Sequence, residues 1–223
     1  MATICQIGCG MIGKVMALDI SKKHDLYLSD LDRSALKEIK TLDPTIKTKC
    51  FNVNDSESLK SFVKPADIVL IAVPGHMGYK LLEKIIDFKK NIVDISFSPE
   101  NILSLNKKAK DNNITVIFDA GLAPGIPNFL LGNIDAKENV KSFKYFVGGL
   151  PKHPKPPYNY KAPFSPIDVI EEYTRPARIM KNGKVITKPA LTDIEKKIYQ
   201  DTGILEGFNT DGLRSILFTM KHI

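Results

Sequence analysis

The sequence predicts an α/β protein, with a doubly wound parallel sheet first and a mixed α+β part after it. Two observations carry this expectation. Short apolar runs of β type alternate with segments whose apolar residues recur at helical spacing, joined by short connections. Beyond Pro127 that alternation stops, and prolines and an Asn-Gly turn take over.

In order, Thr3 to Ile7 reads as a strand, and Met11 to Lys22 as a helix with Met11, Ile12, Val15, Met16, Leu18 and Ile20 at helical spacing. Leu26 to Ser29 is a second strand closed by Asp30. Helices at Ser34 to Lys40 and Ser56 to Val63 flank a strand at Thr48 to Val53. The strongly apolar Asp67 to Val73 predicts a buried central strand. Strands at Asn91 to Ile95 and Ile114 to Asp119 alternate with helices at Tyr79 to Phe88 and Glu100 to Asp111. Later, Val140 to Val147 reads as a strand, and the proline-rich stretch from Pro151 to Pro166 as loop. A helix follows at Ile167 to Tyr173, then a hairpin of Ala177 to Met180 and Val185 to Thr187 turning at Asn182-Gly183. The last segment, Gly212 to Ile223, reads as an amphipathic helix with Leu213, Ile216, Leu217 and Met220 on one face. Domains are expected at 1–122 and 123–223.

Composition narrows the function. With 43% hydrophobic and 26% charged residues in 223, the chain reads as globular, not disordered or fibrous. Its net charge of +7 comes from dispersed lysine pairs such as Lys22-Lys23 and Lys196-Lys197, without an arginine block or aromatic-studded basic stripe. That pattern predicts solvated faces and no nucleic-acid partner. No apolar run approaches the ~20 residues that cross a bilayer, so no membrane partner is expected. Three cysteines, Cys5, Cys9 and Cys50, supply neither a disulfide framework nor a metal site. With an N-terminus that enters a strand directly, they predict a reducing, cytoplasmic setting.

Gly8-Cys9-Gly10-Met11-Ile12-Gly13 is a GxGxxG motif. A strand precedes it, a helix begins inside it and an acid closes the next strand, which is the Rossmann pattern for dinucleotides. Gly8 allows a tight turn, Gly10 lets a pyrophosphate approach the backbone, and Gly13 lets helix and strand pack closely. The phosphates would meet free N–H groups at Gly10, Met11, Ile12 and Gly13. Asp30 would accept hydrogen bonds from the adenosine ribose, favouring NAD, while Arg33 leaves NADP open. In such a sheet ligands lie at the carboxyl ends of the strands. Val53 and Asn54, with Ala72, Val73 and Pro74, are therefore expected at the cofactor, and Asp94 to Phe97 and Asp119 to Gly125 at the substrate.

GCGMIGK, VDISFSPE, DAGLAPGIPN, VGGLP, PYNYKAPFSP, EEYTRPARIMKNGK and LEGFNTDGLRS together resemble the saccharopine dehydrogenase-like family, most closely its lysine 6-dehydrogenase branch. The resemblance spans essentially the whole chain. It implies a Rossmann domain followed by a mixed substrate domain, and hydride transfer at a C–N bond of lysine, saccharopine or a carboxyalkyl polyamine with NAD or NADP. It also implies substrate contacts at Ser96 and Phe97, and a carboxylate fork at Arg175, whose planar guanidinium suits that task. Saccharopine reductases carry an acid where this chain has Ala123, which cannot bind an ammonium group. That departure points to oxidative deamination of the lysine side chain.

Such a reaction starts from neutral amine, so a group must accept a proton. Asp94, Asp119, His76, His153, Tyr158, Tyr160 and Tyr173 are candidates by type. Asp119, at a strand end, is the catalytic expectation, followed by His76 for its ordinary titration range. The alternatives are a saccharopine or carboxynorspermidine-type dehydrogenase and, from another class, a non-catalytic dinucleotide-binding protein or inactive fragment. The fragment alternative arises because family members continue past the TDGLRS segment. An apolar terminal helix there would leave an exposed patch needing cover. Antiparallel strands in the second domain offer edges to a second copy, which predicts a homodimer.

Overall fold

A computed structural model describes residues 1–223, and the chain divides into two compact units, Met1–Gly121 and Leu122–Ile223. In the first, six parallel strands stand in the order β3-β2-β1-β4-β5-β6. They are β1 Thr3–Ile7, β2 Asp25–Asp30, β3 Lys47–Cys50, β4 Ile68–Ile71, β5 Asn91–Asp94 and β6 Val116–Ile117. β1 pairs with both β2 and β4, so the strand order reverses beside it, at the place where open α/β sheets hold their ligands.

Strand alternation sends the two faces of β1 into separate cores. Cys5 and Ile7 join Val69, Ile71 and Ile92 beneath α3 (Ser56–Val63) and α4 (Gly75–Asp87). Ile4 joins Leu26, Leu28 and Leu70 with residues of α1 (Met11–Ile20) and α2 (Arg33–Leu42). Leu36 and Ile39 of α2, and Leu81, Leu82, Ile85 and Ile86 of α4, follow the apolar spacing that makes these segments helical. Aspartates start two helices: Asp32 accepts from the N–H of Ser34 at 2.7 Å, and Asp55 from those of Glu57 and Ser58.

Several boundaries differ from those expected. α4 begins at Gly75, four residues early, because Pro74 occupies its N-cap and needs no donor there. β3 stops at Cys50, so Val53 and Asn54 lie in the turn before α3, where the N–H of Asn54 donates to Asn52 Oδ1 at 2.9 Å. β6 is only Val116–Ile117, and Glu100 to Asp111 resolves into a 3-10 turn at Ile102–Leu105 followed by α5, Asn106–Asp111.

The second unit holds two separate hairpins. β7 Ala177–Lys181 and β8 Lys184–Lys188 turn through Asn182 and Gly183, both at positive φ, as that dipeptide predicts. β9 Glu195–Tyr199 and β10 Gly203–Gly207 form the other, turning into Gly203 at φ 81°. α7 covers Pro166–Thr174, and the segment from Pro151 to Ser165 carries no helix or strand. Val140 to Val147 is not a strand: no neighbouring strand supplies ladder partners, and Tyr145 instead donates its hydroxyl to the carbonyl of Gly212 at 3.0 Å. α6, Ile126–Asp135, stands where the sequence reading assigns no element. Pro127 sits in its first turn, where a missing N–H costs nothing.

The terminal helix is shorter than the expected Gly212 to Ile223. Only Ile216–Thr219, α8, is helical, and Ile216 and Leu217 are buried within the unit rather than exposed. Asn128 donates to Ser215 Oγ at 3.0 Å and His222 bonds Asp135 at 2.9 Å, fastening this segment to α6. The patch behind the fragment alternative is therefore absent at those residues. No helix is long and apolar enough to cross a membrane.

Candidate functional site

The glycine loop lies at the carboxyl end of β1. Gly8 has φ 108° and donates its N–H to the carbonyl of Ser29 at 2.8 Å; a Cβ built there would stand 2.1 Å from the carbonyl oxygen of Ala72. A Cβ on Gly13 would stand 2.3 Å from the carbonyl oxygen of Gly8. These two glycines are required by close backbone approach within the fold. Gly10 is different, because a Cβ there would meet nothing within 4 Å. Its missing side chain leaves open space over the start of α1, and that first turn has neither a capping side chain nor an acidic residue. Free N–H groups, a positive helix end and an open approach together fit a pyrophosphate. Met11 and Ile12 are about half exposed beside it.

Asp30 closes β2 next to this loop. Its Oδ2 accepts the N–H of Cys9 at 2.6 Å and its Oδ1 that of Asp32 at 2.8 Å. Two backbone bonds fix the carboxylate, and its remaining lone pairs can accept ribose hydroxyls. Arg33 is exposed in the first turn of α2. Ala72, Val73 and Pro74 follow β4 on the other side of the switch point and are partly buried, with Val73 packed on the first core. Val53 packs on that core too. These segments fit a nicotinamide dinucleotide laid across the strand ends.

Farther along the same edge, two carboxyls are buried at the ends of neighbouring strands. Asp94 ends β5 and is almost fully buried, and Asp119 follows β6 with φ 50°. The strands pair, and the N–H of Ala120 donates to the carbonyl of Asp94 at 3.0 Å. Burial pushes the Asp94 carboxyl up to about 6, opposed by its bonds from Ser96 and reinforced by the negative charge of Asp119. Ser96 donates its N–H to Asp94 Oδ1 at 2.8 Å, and Ser96 and Ser98 lie so close under α4 that a Cβ on Gly78 would reach 2.0 Å from Ser96 Oγ. Ser96 is therefore part of the floor around Asp94, and Phe97 beside it is partly buried. His76 is exposed in the first turn of α4.

In the second unit, Arg175 caps the end of α7 and forms an ion pair with Glu171 one turn earlier. The residues that the sequence reading missed stand nearby in the chain. Arg178 grips Asp211 with a two-pronged fork, Nε to Oδ1 and Nη2 to Oδ2, each at 2.8 Å, and Arg214 adds a third bond to Oδ2 at 3.0 Å. Arg214 and Asp211 are almost fully buried, and Glu172 is pushed up by burial and by the neighbouring charge of Asp168, against the pull of Arg214. The TRPAR and TDGLRS segments thus meet in one charged cluster. Their shared wealth of paired charges was the available signal.

Comparison with known proteins bears on both units. The model of the saccharopine dehydrogenase NADP binding domain matches residues 4–117, and that of the saccharopine dehydrogenase C-terminal domain matches residues 121–220. The chain belongs to the saccharopine dehydrogenase family. Among relatives of this family, it is 32% identical over 190 residues to the mitochondrial alpha-aminoadipic semialdehyde synthase of Rattus norvegicus, covering 81% of this chain and 20% of that protein. It is 30% identical over 141 residues to the saccharopine dehydrogenase [NADP(+), L-glutamate-forming] of Pyricularia oryzae, covering 60% of this chain and 31% of that one. The apo saccharopine dehydrogenase (L-Glu forming) structure from Saccharomyces cerevisiae superposes with a TM-score of 0.69 at 18% identity, covering 97% of this chain and 57% of that one. The saccharopine dehydrogenase fold is shared, and the chain spans well under half the length of the curated relatives just named.

Proposed function

We propose that the chain is an oxidoreductase that uses NAD to oxidise the side-chain amine of lysine. The observation that carries this reading is the sequence of features along one sheet edge: an open glycine loop, the Asp30 carboxylate, and then two buried carboxyls at neighbouring strand ends. The nicotinamide dinucleotide, once bound, supplies the hydride acceptor. Gly10 and the first turn of α1 hold its phosphates, and Asp30 holds its ribose in a form that a 2′-phosphate would repel.

The ammonium of lysine has no lone pair, so its proton must leave before its carbon can give up a hydride. Asp119 is the proposed acceptor. Asp94 beside it, with an affinity for protons raised to about 6, gives the pair a place to hold that proton near neutral pH. Loss of hydride from the neutral amine leaves an iminium ion; water adds to its carbon, and the C–N bond breaks to release an aldehyde and ammonium. Ser96 and Phe97 line the approach to the carboxyls, Arg175 binds the substrate carboxylate, and His76, exposed at the start of α4, is the second candidate for proton transfer. The absence of an acid at Ala123 favours lysine over saccharopine.

A second reading, saccharopine as substrate, is favoured by the names of the relatives. Incubating the chain with cofactor and either lysine or saccharopine separates the two. Lysine-dependent reduction of NAD with stoichiometric ammonia supports the first, and glutamate release from saccharopine alone would replace it with the second. Tight NADH binding with neither substrate turned over would favour a non-catalytic dinucleotide-binding role. The proposed setting is the cytoplasm, where three free thiols stay reduced, and the proposed assembly a homodimer through the open edges of the hairpins. Sedimentation at micromolar concentration tests the latter.

A further inference from the structure

Gln6 is a polar residue in the middle of β1, where its neighbours Ile4, Cys5 and Ile7 all feed apolar cores, and its side chain is completely buried. Strand alternation turns it to the same face as Ile4, under α1. Its Nε2 donates to the carbonyl of Gly8 at 2.9 Å and to that of Gly13 at 2.7 Å. Both partners are acceptors, so the nitrogen must face them, and Oε1 is left buried with no hydrogen-bond partner.

An apolar side chain of the same volume would suit the packing of β1 as well, and would exchange the orphaned Oε1 for a Gly8 carbonyl that loses its donor, so the amide gains little for stability alone. The reason for an amide must lie in what it holds. The carbonyl of Gly8 and the N–H of Cys9 belong to one planar peptide group and point in opposite directions. Gln6 fixes the first, and Asp30 fixes the second at 2.6 Å. One peptide plane is therefore clamped between β1 and β2, and the same carboxamide reaches the far end of the loop at Gly13. The open backbone at Gly10 lies between these anchored ends.

We infer that Gln6 is a positioning residue for the dinucleotide: its carboxamide braces Gly8 to Gly13 and so presets the loop that receives the pyrophosphate. The inference rests on the dinucleotide reading of that loop. Preset geometry means that less ordering is needed when the ligand arrives.

The test compares wild type with Gln6→Leu and Gln6→Met, using NADH, ADP-ribose and adenosine as probes in calorimetric titrations and recording thermal midpoints without ligand. The expected result is a thermal midpoint close to that of wild type, since one orphaned acceptor replaces another, with dissociation constants for NADH and ADP-ribose raised about tenfold or more and adenosine binding unchanged. Only ligands that carry the pyrophosphate should sense the brace. Equal affinities in all three proteins would overturn the inference while leaving dinucleotide binding intact. So would variants that unfold, or that lose all three ligands in step, since Gln6 would then be merely structural. A wild type that binds neither NADH nor ADP-ribose would remove the dinucleotide reading itself.

Discussion

The backbone N–H of Cys9 donates to Asp30 Oδ2 at 2.6 Å, tying the middle of the glycine loop to the end of the neighbouring strand. Asp30 therefore serves the loop and the proposed ribose contact at once. Asp30→Ala should weaken NAD by about 10- to 100-fold, the range for a lost hydrogen bond to a charged group. NADP should lose less, because a repelling charge goes with the lost acceptor. Parallel titrations read the ratio, and an unchanged NAD to NADP preference would remove Asp30 from the ribose.

The glycines of the loop should separate by substitution. Gly8→Ala places a Cβ 2.1 Å from a backbone oxygen at φ 108°, and should destabilise the chain by about 2–5 kcal/mol through strain and overpacking. Gly10→Ala meets nothing within 4 Å and should leave stability within about 0.5 kcal/mol of wild type while abolishing tight NADH binding. Denaturant melts and fluorescence titrations distinguish the two.

Asp94 should write itself into the pH dependence of stability. Its folded value of about 6 exceeds the ordinary 3.8, so the folded chain holds this proton more tightly than the unfolded one. The contribution is full below about pH 4 and is lost as pH rises through about 6, a change on the order of 3 kcal/mol. Asp94→Asn should flatten that limb of the profile. An identical limb in the variant would assign it to other groups.

Asp119→Asn keeps a residue type that tolerates a left-handed backbone while removing the proton acceptor. The expected outcome is unchanged NADH affinity with kcat lowered about 10²- to 10⁴-fold. A kcat within a factor of about two of wild type would transfer the proton to another group.

The thiols should react unequally. Burial, as the largest cause, raises Cys5 and Cys9 to about 11, so both remain protonated and covered at neutral pH. Cys50 is only partly buried. Mass spectrometry after brief alkylation should find the label on Cys50 first.

The first unit was readable because its rules are local. Leu36 with Ile39 and the Leu81 to Ile86 cluster announce helices by spacing, and Gly8, Gly10 and Gly13 announce a ligand loop by position. Gln6 was hidden for the opposite reason: a lone amide between apolar neighbours has no periodicity, and its meaning arises only when Gly8 and Gly13 close over it. In the second unit Val140 to Val147 has the alternation of a strand but no partner to pair with, a matter that only tertiary structure decides. Pro127 masked α6, since the same residue type that breaks a helix interior is at home in a first turn.

The fork between Arg178 and Asp211 joins positions that are 33 residues apart, and the turns of both hairpins lie on the chain between them. That span is a loop closed at its base by buried charge. A protease that nicks the exposed turn at Asn182 or Asp201 would cut the backbone without parting the pieces, and the nicked chain should migrate as one body until it is denatured.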